Sequence, residues 1–225
     1  MEYGKTNYFS NRSAHWDRVA EKLTKWKGLG GYYHKRISLV YQFNIPAHHD
    51  VLEVGCGSGD LMQLLVQERK CIAHGIEIDE QSIYQCVEKG LNVLHGDIDS
   101  GLSEYADESF DYVILNQSLQ QVKHFDSVFR DALRVGKKII VGLPNFAHYK
   151  SRFQLFFLGR APVTPALPYS WYDSPNVHFL SMADFINYCK SRNAAIERSI
   201  YLGERRRLFV FPNFFANTGI FLISK

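Results

Sequence analysis

Three glycines at alternate positions mark the part of the sequence that is best suited to hold a ligand. Gly55, Gly57 and Gly59 follow the apolar segment 51–54 and precede a segment with a helical pattern of apolar residues. Because glycine has no Cβ atom, this spacing lets the backbone turn sharply and approach a ligand closely. The dinucleotide fingerprint G-x-G-x-x-G would need a glycine where Asp60 stands, and an acid there would repel a pyrophosphate. The loop therefore predicts a nucleotide-type ligand and disfavours NAD.

Acidic residues stand at the ends of three successive predicted strands. Glu53 precedes the glycine loop, Glu77 ends the second strand and Asp97 follows the third. The carboxyl ends of parallel strands line the ligand crevice of such folds, and Glu77 lies near the spacing at which an acid binds ribose hydroxyls. Asp97 could accept a hydrogen bond from an adenine amino group while Ile98 covers the ring. Together these acids predict a cofactor site.

The charge of the acids indicates which cofactor the site suits. S-adenosylmethionine carries an ammonium and a sulfonium group and no phosphate, so it matches a glycine loop bordered by carboxylates better than a dinucleotide does. A charge-assisted hydrogen bond contributes roughly 1.5–3 kcal/mol. Two or three such bonds to Glu53 and its neighbours can decide which cofactor binds, and we therefore expect S-adenosylmethionine.

The elements that must position these residues alternate along the chain from residue 51 onward. Short runs rich in β-branched residues alternate with helix-compatible segments, which is typical of parallel strands joined by crossover helices. The predicted strands are 51–54, 72–78, 92–95, 112–116, 138–143, 196–202 and 219–223, and the predicted helices are 60–68, 80–89, 125–134 and 182–192. Ser181 and Asp184 have the spacing of a capping box at the start of the last helix. We predict an α/β fold with a doubly wound, mostly parallel, seven-stranded sheet.

Two regions fall outside this alternation. Residues 1–48 are predicted to form an N-terminal helical extension, with helices at 14–26 and 32–43 separated by a glycine-rich turn. Residues 49–225 are expected to form the ligand-binding domain. Within that domain the insertion 146–180 combines a helix, whose aromatic residues fall on one face, with a proline-rich loop. A loop of this length is uncommon in a compact domain unless it is functional, so the insertion is interpreted as a lid or a partner surface.

Composition and charge limit the function classes. The chain has 225 residues, of which 46% are hydrophobic, and a formal charge of +3. This charge is too mild for a general nucleic-acid footprint, although 205–207 is a local run of three arginines. The four cysteines have no spacing typical of zinc sites or disulfide frameworks, so no metal is expected. No secretory leader or long apolar span is visible, and we expect a cytoplasmic protein.

Several of these segments together resemble a known family. The segments are 51–61, 75–79, 90–97, 110–117 and 143–146. They are similar to class I S-adenosylmethionine-dependent methyltransferases, and more closely to the methionine biosynthesis protein MetW. The most specific match is 159–178, which resembles the signature of the MetW family and has no counterpart in generic methyltransferases. The similarity covers about residues 50–224, and the first 48 residues and the arginines of 205–207 depart from it.

The resemblance implies a Rossmann-like methyltransferase fold with S-adenosylmethionine as cofactor. The residues expected to contact the cofactor are Glu53, Gly55, Cys56, Gly57, Glu77, Ile78, Asp97, Ile98, Asn116 and Gln117. It also implies a role in methionine biosynthesis beside homoserine O-acyltransferase. Two functions therefore stay open: methyl transfer to a small-molecule acceptor, or a cofactor-sensing partner subunit of the acyltransferase with little or no turnover.

The chemistry of methyl transfer sets few further requirements. The reaction is an in-line displacement in which positioning alone can supply roughly 7–11 kcal/mol, so a general base is optional. Asn116 is not followed by the Pro-Pro-aromatic sequence of enzymes that methylate amino groups of nucleic-acid bases, which disfavours that activity. If a base exists, Tyr149, Tyr172 and His178 are candidates, because they lie in or beside the insertion that is expected to overhang the cofactor.

Overall fold

The computed structural model describes residues 45–203 and 207–225, which form two compact units. The first unit runs to Ser100 and the second begins at Gly101. The predicted helices 14–26 and 32–43 and two arginines of the 205–207 run lie outside the described residues. Residues 45–48 are described and contain no helix. No helix in the described ranges is long and apolar enough to cross a bilayer.

The first unit consists of three parallel strands, two α-helices and the short 3-10 helix Ile98–Ser100. Its elements are β1 (Asp50–Val54), α1 (Asp60–Arg69), β2 (Ile72–Glu77), α2 (Glu80–Glu88) and β3 (Asn92–His95). β2 lies between the other two strands and pairs with both in parallel. Apart from its first residue β1 is buried, because the apolar side chains of Val51, Leu52 and Val54 point to both faces and suit a strand covered on both sides; Glu53 is the polar residue among them. The parallel order brings the carboxyl ends of the strands to one edge.

The helices of the first unit begin directly after strand ends. α1 starts after Gly59, which has φ 75°, and α2 starts after Asp79, whose carboxylate accepts a hydrogen bond from the Ser82 backbone N–H at 2.8 Å. This side-chain cap satisfies a free N–H group at the first turn of α2. The chain therefore turns from strand to helix within a few residues on both occasions, which keeps the glycine loop short.

The second unit contains five strands, four α-helices and the short 3-10 helix Leu119–Gln121. Its elements are β4 (Phe110–Asn116), α3 (Phe125–Val135), β5 (Gly136–Pro144), α4 (Tyr149–Leu158), α5 (Met182–Ser191), β6 (Ala195–Leu202), β7 (Arg207–Leu208), α6 (Pro212–Phe215) and β8 (Thr218–Ser224). β4 and β5 are parallel, and β8 lies antiparallel between β5 and β6. Phe129 of α3 packs edge-on against Phe185 of α5, which in turn contacts Phe221 of β8.

The predicted α/β class, with mostly parallel strands, is confirmed. Each predicted strand, and each of the four helices predicted after residue 51, begins and ends within two residues of the observed element. The capping box at Ser181 and Asp184 is also present. The predicted strand number was wrong, because the described residues contain eight strands. The additional strand, β7, pairs Arg207 and Leu208 with the last two residues of β6. Two residues are too few to show the alternation by which a strand is detected in a sequence.

Candidate cofactor site

The glycine loop between β1 and α1 is held by hydrogen bonds to the neighbouring strand. Gly55, Gly57 and Gly59 have φ angles of 76°, 54° and 75°, in the left-handed region that favours glycine. The backbone N–H groups of Gly55 and Cys56 donate to the carbonyl oxygen of Ile76 at 2.8 and 3.1 Å. The loop is therefore tied to the end of β2, where the second predicted acid stands.

Two glycines of the loop serve different purposes. A Cβ atom added at Gly59 would lie 2.5 Å from Leu91 Cδ1 and 2.8 Å from Cys86 Sγ, so Gly59 permits close packing of the loop against the core. A Cβ atom added at Gly57 would meet nothing within 4 Å. The space at Gly57 is open, and the absence of a side chain there leaves the backbone accessible to a ligand.

Glu77 connects the loop to the end of β2. Its Oε2 accepts a hydrogen bond from the Gly57 N–H at 2.8 Å, and its Oε1 accepts from the N–H groups of Ile78 and Asp79 at 2.9 and 3.0 Å. These three bonds fix the carboxylate. Because two carboxylate oxygens offer about four lone-pair sites, one acceptor position of Glu77 is left for a ligand hydroxyl.

Glu53 is a buried carboxyl group in the first unit. The side chain is 3% exposed, and its Oε2 has no hydrogen-bond partner among the described residues. Burial raises the pKa of Glu53 well above its ordinary value, and the neighbouring Cys86, Glu77 and Asp60 raise it further. A buried acceptor without a donor is costly. A cationic or hydrogen-bond-donating ligand group at this point would remove that cost.

Asp60 is paired, which the sequence did not indicate. Lys89, at the end of α2, places its Nζ 2.5 Å from Asp60 Oδ1 and donates to the Ser58 carbonyl oxygen at 2.6 Å. Lys89 therefore holds the loop and offsets the Asp60 charge, so Asp60 is not the isolated acid on which the case against a pyrophosphate relied.

The remaining predicted residues of the first unit divide into accessible and buried groups. Asp97 is exposed at the end of β3, and its Oδ1 accepts a hydrogen bond from the Asp99 N–H at 2.9 Å. Ile78 and Ile98 are half-buried. Cys56 is 7% exposed and packs in a cluster with Met62 and other core residues. A hydrogen bond with Cys86 and burial raise the pKa of Cys56, so the residue is a neutral thiol.

Asn116 and Gln117 lie in the second unit, at the end of β4. Gln117 has φ 60°, which is unusual for a residue other than glycine. Its N–H donates to the Gly142 carbonyl oxygen at 2.8 Å, and its own carbonyl oxygen accepts from the side-chain amides of Gln120 and Gln121 at 2.7 and 3.0 Å. Strained backbone that is held by several bonds is concentrated at functional sites.

The three candidate bases occupy three different settings in the second unit. Tyr149 stacks on Phe214 with ring centroids 5.9 Å apart, and Tyr172 is 75% exposed. His178 packs edge-on against Phe125 at 5.5 Å, and its buried Nε2 has no hydrogen-bond partner among the described residues. Among the three candidates, His178 is therefore the one with a buried basic nitrogen that has no hydrogen-bond partner among the described residues.

Sequence reasoning missed two buried polar groups beside the end of β4. Ser118 and Gln120 are 7% and 2% exposed, and Ser118 Oγ and Gln120 Oε1 lack hydrogen-bond partners within the described ranges. The carbonyl oxygen of Gln120 accepts from the backbone N–H groups of Val177 and His178, both at 3.0 Å. The polar residues that follow Asn116 were the only sequence signal, and their burial depends on the distant segment around His178.

Comparisons with known proteins define the class. A structure of an S-adenosylmethionine-dependent methyltransferase from Thermotoga maritima matches with a TM-score of 0.63 and 16% identity, over 93% of this chain and 97% of that one. The Haemonchus contortus phosphoethanolamine N-methyltransferase 2, in complex with S-adenosylmethionine, matches with a TM-score of 0.62 and 14% identity, over 86% of this chain and 52% of that one. The fold is that of the class I methyltransferases.

The family is more specific than the class. The model of the family "Methionine biosynthesis protein MetW" matches residues 37–223, so the chain belongs to the MetW family, and the match starts earlier than residue 50. A curated relative, the bifunctional methionine biosynthesis protein MetXA/MetW of Rhodopirellula baltica, is 30% identical over 189 residues, which is 78% of this chain. The chain spans 30% of the length of that relative.

Proposed function

We propose that the chain binds S-adenosylmethionine at the glycine loop and transfers its methyl group to a small-molecule acceptor. The observation that carries this proposal is the buried Glu53 carboxylate, whose Oε2 lacks a donor among the described residues beside a loop with open space at Gly57. A ligand with a cationic amino group and no phosphate fits this combination. The residues present therefore suit the cofactor that the class uses.

The roles of the individual residues follow from their contacts. Glu53 would accept from the amino group, the loop backbone at Gly55 and Gly57 would lie against the cofactor, and Glu77 would use its remaining acceptor position for a ribose hydroxyl. Asp97 and Ile98 are proposed to contact the adenine, and Cys56 to contribute only its backbone because its thiol is buried in the core. The backbone of Ile78 in the first unit, and Asn116 and Gln117 in the second, stay predicted cofactor contacts.

The chemistry needs little from the side chains beyond positioning. When bound, the cofactor would supply a methyl group on a sulfonium: a lone pair of the acceptor atom would form the new bond to the methyl carbon, and the electron pair of the broken C–S bond would stay on sulfur. The chain has to exclude water and hold the acceptor in line. An N–H or O–H acceptor must also lose a proton, and the unpaired Nε2 of His178 supports this residue as the base in preference to Tyr149 and Tyr172.

Calorimetric titration of the protein with S-adenosylmethionine tests the binding step, with ATP as the comparison ligand. We expect the protein to bind S-adenosylmethionine and not ATP. Incubation with methyl-labelled cofactor and fractionated metabolite extracts then tests transfer, and failure to label any small molecule would contradict an enzymatic role.

The four free thiols, all buried, support a cytoplasmic location.

A second candidate function is that of a partner subunit of homoserine O-acyltransferase, which responds to the cofactor with little or no turnover. The observation that favours it is the curated relative, in which a MetW part is joined to a MetXA part in one chain. Fusion keeps two parts at high effective concentration. Co-purification of this chain with the acyltransferase of the same organism, with and without S-adenosylmethionine, tests the role.

A further inference from the structure

The second half of α4 carries an apolar surface that the described residues leave exposed. Phe153, Phe156 and Phe157 are 53%, 83% and 66% exposed, and Leu155 and Leu158 beside them are 44% and 55% exposed. These residues surround the helix, so turning α4 about its axis would not bury them all. A helix end that is apolar on all sides is normally covered by another structure, and consecutive exposed apolar residues indicate an interaction site.

This surface continues onto the segment that follows β7. Tyr149 stacks on Phe214 of α6 at 5.9 Å, and the Arg152 guanidinium lies 5.4 Å from the centre of the same ring. Just before α6, Phe209 and Phe211 are 86% and 73% exposed. We use the term aromatic surface for the exposed side chains of α4 together with residues 209–215.

A groove adjoins the aromatic surface where α4 ends. It has a volume of about 410 Å³ and is lined by Gly159, Arg160, Val163, Trp171 and Tyr172, among others. The rings of Trp171 and Tyr172 meet edge-on at 5.6 Å, and both are more than 70% exposed. Tryptophan, tyrosine and arginine are the residues that dominate binding energy in protein interfaces. A concave groove suits a protruding side chain of a protein, whereas a bilayer offers a smooth boundary.

The charged residues within the two segments of the aromatic surface are all basic. Residues 149–163 contain Lys150, Arg152 and Arg160 and no acidic residue, and residues 207–215 contain Arg207 and no acidic residue. A basic rim is complementary to an acidic rim on a partner. Two copies of this chain joined through the same surface would place basic residues against each other, which disfavours a symmetric dimer.

The exposed area is that of a stable interface. The six most exposed aromatic side chains of the aromatic surface and groove are Phe156, Phe157, Phe209, Phe211, Trp171 and Tyr172, with 66–86% exposure. At about 200 Å² for each aromatic side chain, they offer on the order of 900 Å². A standard protein interface buries about 800 Å² on each partner.

We propose that the aromatic surface and the adjoining groove form the docking site for the acyltransferase, through an apolar face of that enzyme with an acidic rim. This inference rests on the partner role proposed above and adds the place of contact. The cofactor site lies in other residues, so docking and cofactor binding can be separated by substitution.

The test compares surface variants in a binding assay with the purified homoserine O-acyltransferase of the same organism. Phe156→Ser, Phe209→Ser and Arg160→Glu change the aromatic surface and the groove. Tyr84→Ser is the matched control, because Tyr84 is a 68% exposed aromatic residue on α2, outside the surface. We expect each surface variant to weaken binding at least ten-fold, with Tyr84→Ser unchanged. Calorimetric binding of S-adenosylmethionine and the melting temperature should be unchanged in all four.

Other outcomes would overturn the inference. If the wild-type chain binds the acyltransferase and the surface variants bind equally well, the partner role stands and the docking site is wrong. If the wild-type chain does not bind the enzyme, both fail. If the wild-type chain self-associates and Phe156→Ser abolishes this, the surface binds a second copy of the chain. If the wild-type chain binds vesicles of anionic lipid and Phe156→Ser abolishes that binding, the surface binds a membrane. A lower melting temperature of isolated Phe156→Ser would mean that the chain covers the surface itself.

Discussion

Replacing Glu53 by glutamine separates two effects that one buried carboxylate should have. Without ligand, Glu53 is buried, its Oε2 lacks a donor among the described residues, and burial raises its pKa. With S-adenosylmethionine bound, the same oxygen should accept from a cationic amino group. Glu53→Gln keeps the shape of the side chain and removes the charge. We therefore expect this variant to bind the cofactor more weakly while the ligand-free protein becomes more stable.

The size of the binding effect follows from the bond that is lost. A hydrogen bond to a charged group contributes roughly 1.5–3 kcal/mol, which is about a 10- to 150-fold change in dissociation constant. Because Glu53 is protonated until the pH exceeds its raised pKa, the affinity of the wild-type protein should increase as the pH rises through that value. Glu53→Gln should lack this part of the pH dependence.

The stability effect has a definite sign. A carboxyl group whose pKa is raised on folding stabilises the folded state fully at pH values below its ordinary pKa, where both states are protonated. As the pH rises, the carboxyl group ionises first in the unfolded state, so this stabilisation is lost between the pKa of the unfolded state and the higher pKa of the folded state. The ligand-free Glu53→Gln protein should therefore unfold at a higher temperature than the wild type above that range, and no higher in acid.

Calorimetric titration and thermal unfolding across a pH series measure both effects. Glu68→Gln is the matched control, because Glu68 is an exposed glutamate on α1. The reasoning is refuted if Glu53→Gln binds S-adenosylmethionine as tightly as the wild type, or if both proteins show the same pH dependence of affinity. A loss of stability in ligand-free Glu53→Gln at alkaline pH would also contradict it, because it would mean that the charge is already compensated.

Further predictions concern the loop and the helix packing. Gly57→Ala should cost only about 1–2 kcal/mol of stability, because a left-handed backbone is unfavourable for alanine even where its Cβ meets no other atom, yet it should abolish cofactor binding in calorimetry. Gly59→Ala should lower the melting temperature further, because overpacking against Leu91 adds roughly 1–3 kcal/mol. Glu77→Ala should weaken cofactor binding and lower the melting temperature, since three backbone N–H groups lose their acceptor, with Glu77→Gln intermediate in both measurements. Hydrogen bonds from Tyr188 and Arg192 lower the pKa of Asp126, so Asp126→Asn should lose roughly 1 kcal/mol or less in denaturant unfolding at neutral pH. This difference should vanish as the pH falls through the lowered pKa.

The backbone of the candidate site was predictable because each of its parts has a local signal. An apolar strand, a glycine loop and a helix start follow one another within residues 51–61, and short-range pattern is sufficient to place them. The same holds for the cap formed by Ser181 and Asp184. The strand β7 shows the limit, since two residues carry no periodicity and pair only because β6 lies beside them.

The energetics of the site were not predictable, because they depend on residues that are distant in the sequence. The alternate glycines look equivalent in the sequence, yet a side chain at position 59 would clash with Leu91 and Cys86, whereas Gly57 borders open space. Similarly, the charge of Asp60 is offset by Lys89, which follows it by a complete strand and helix. A sequence pattern gives the order of such residues along the chain, but not the contacts that decide which of them is free to bind a ligand.

The acidic site and the aromatic surface are built from different residues, which bears on the choice between the two functions. In the first unit the sequence provides acids, glycines and a small core, which suit a small cationic ligand. In the second unit α4 and residues 209–215 place large aromatic side chains in water, which a methyl transfer does not require. A subunit that reports cofactor binding to another protein needs both features. The aromatic surface therefore supports the second candidate function, and we propose that any methyl transfer takes place within an assembly.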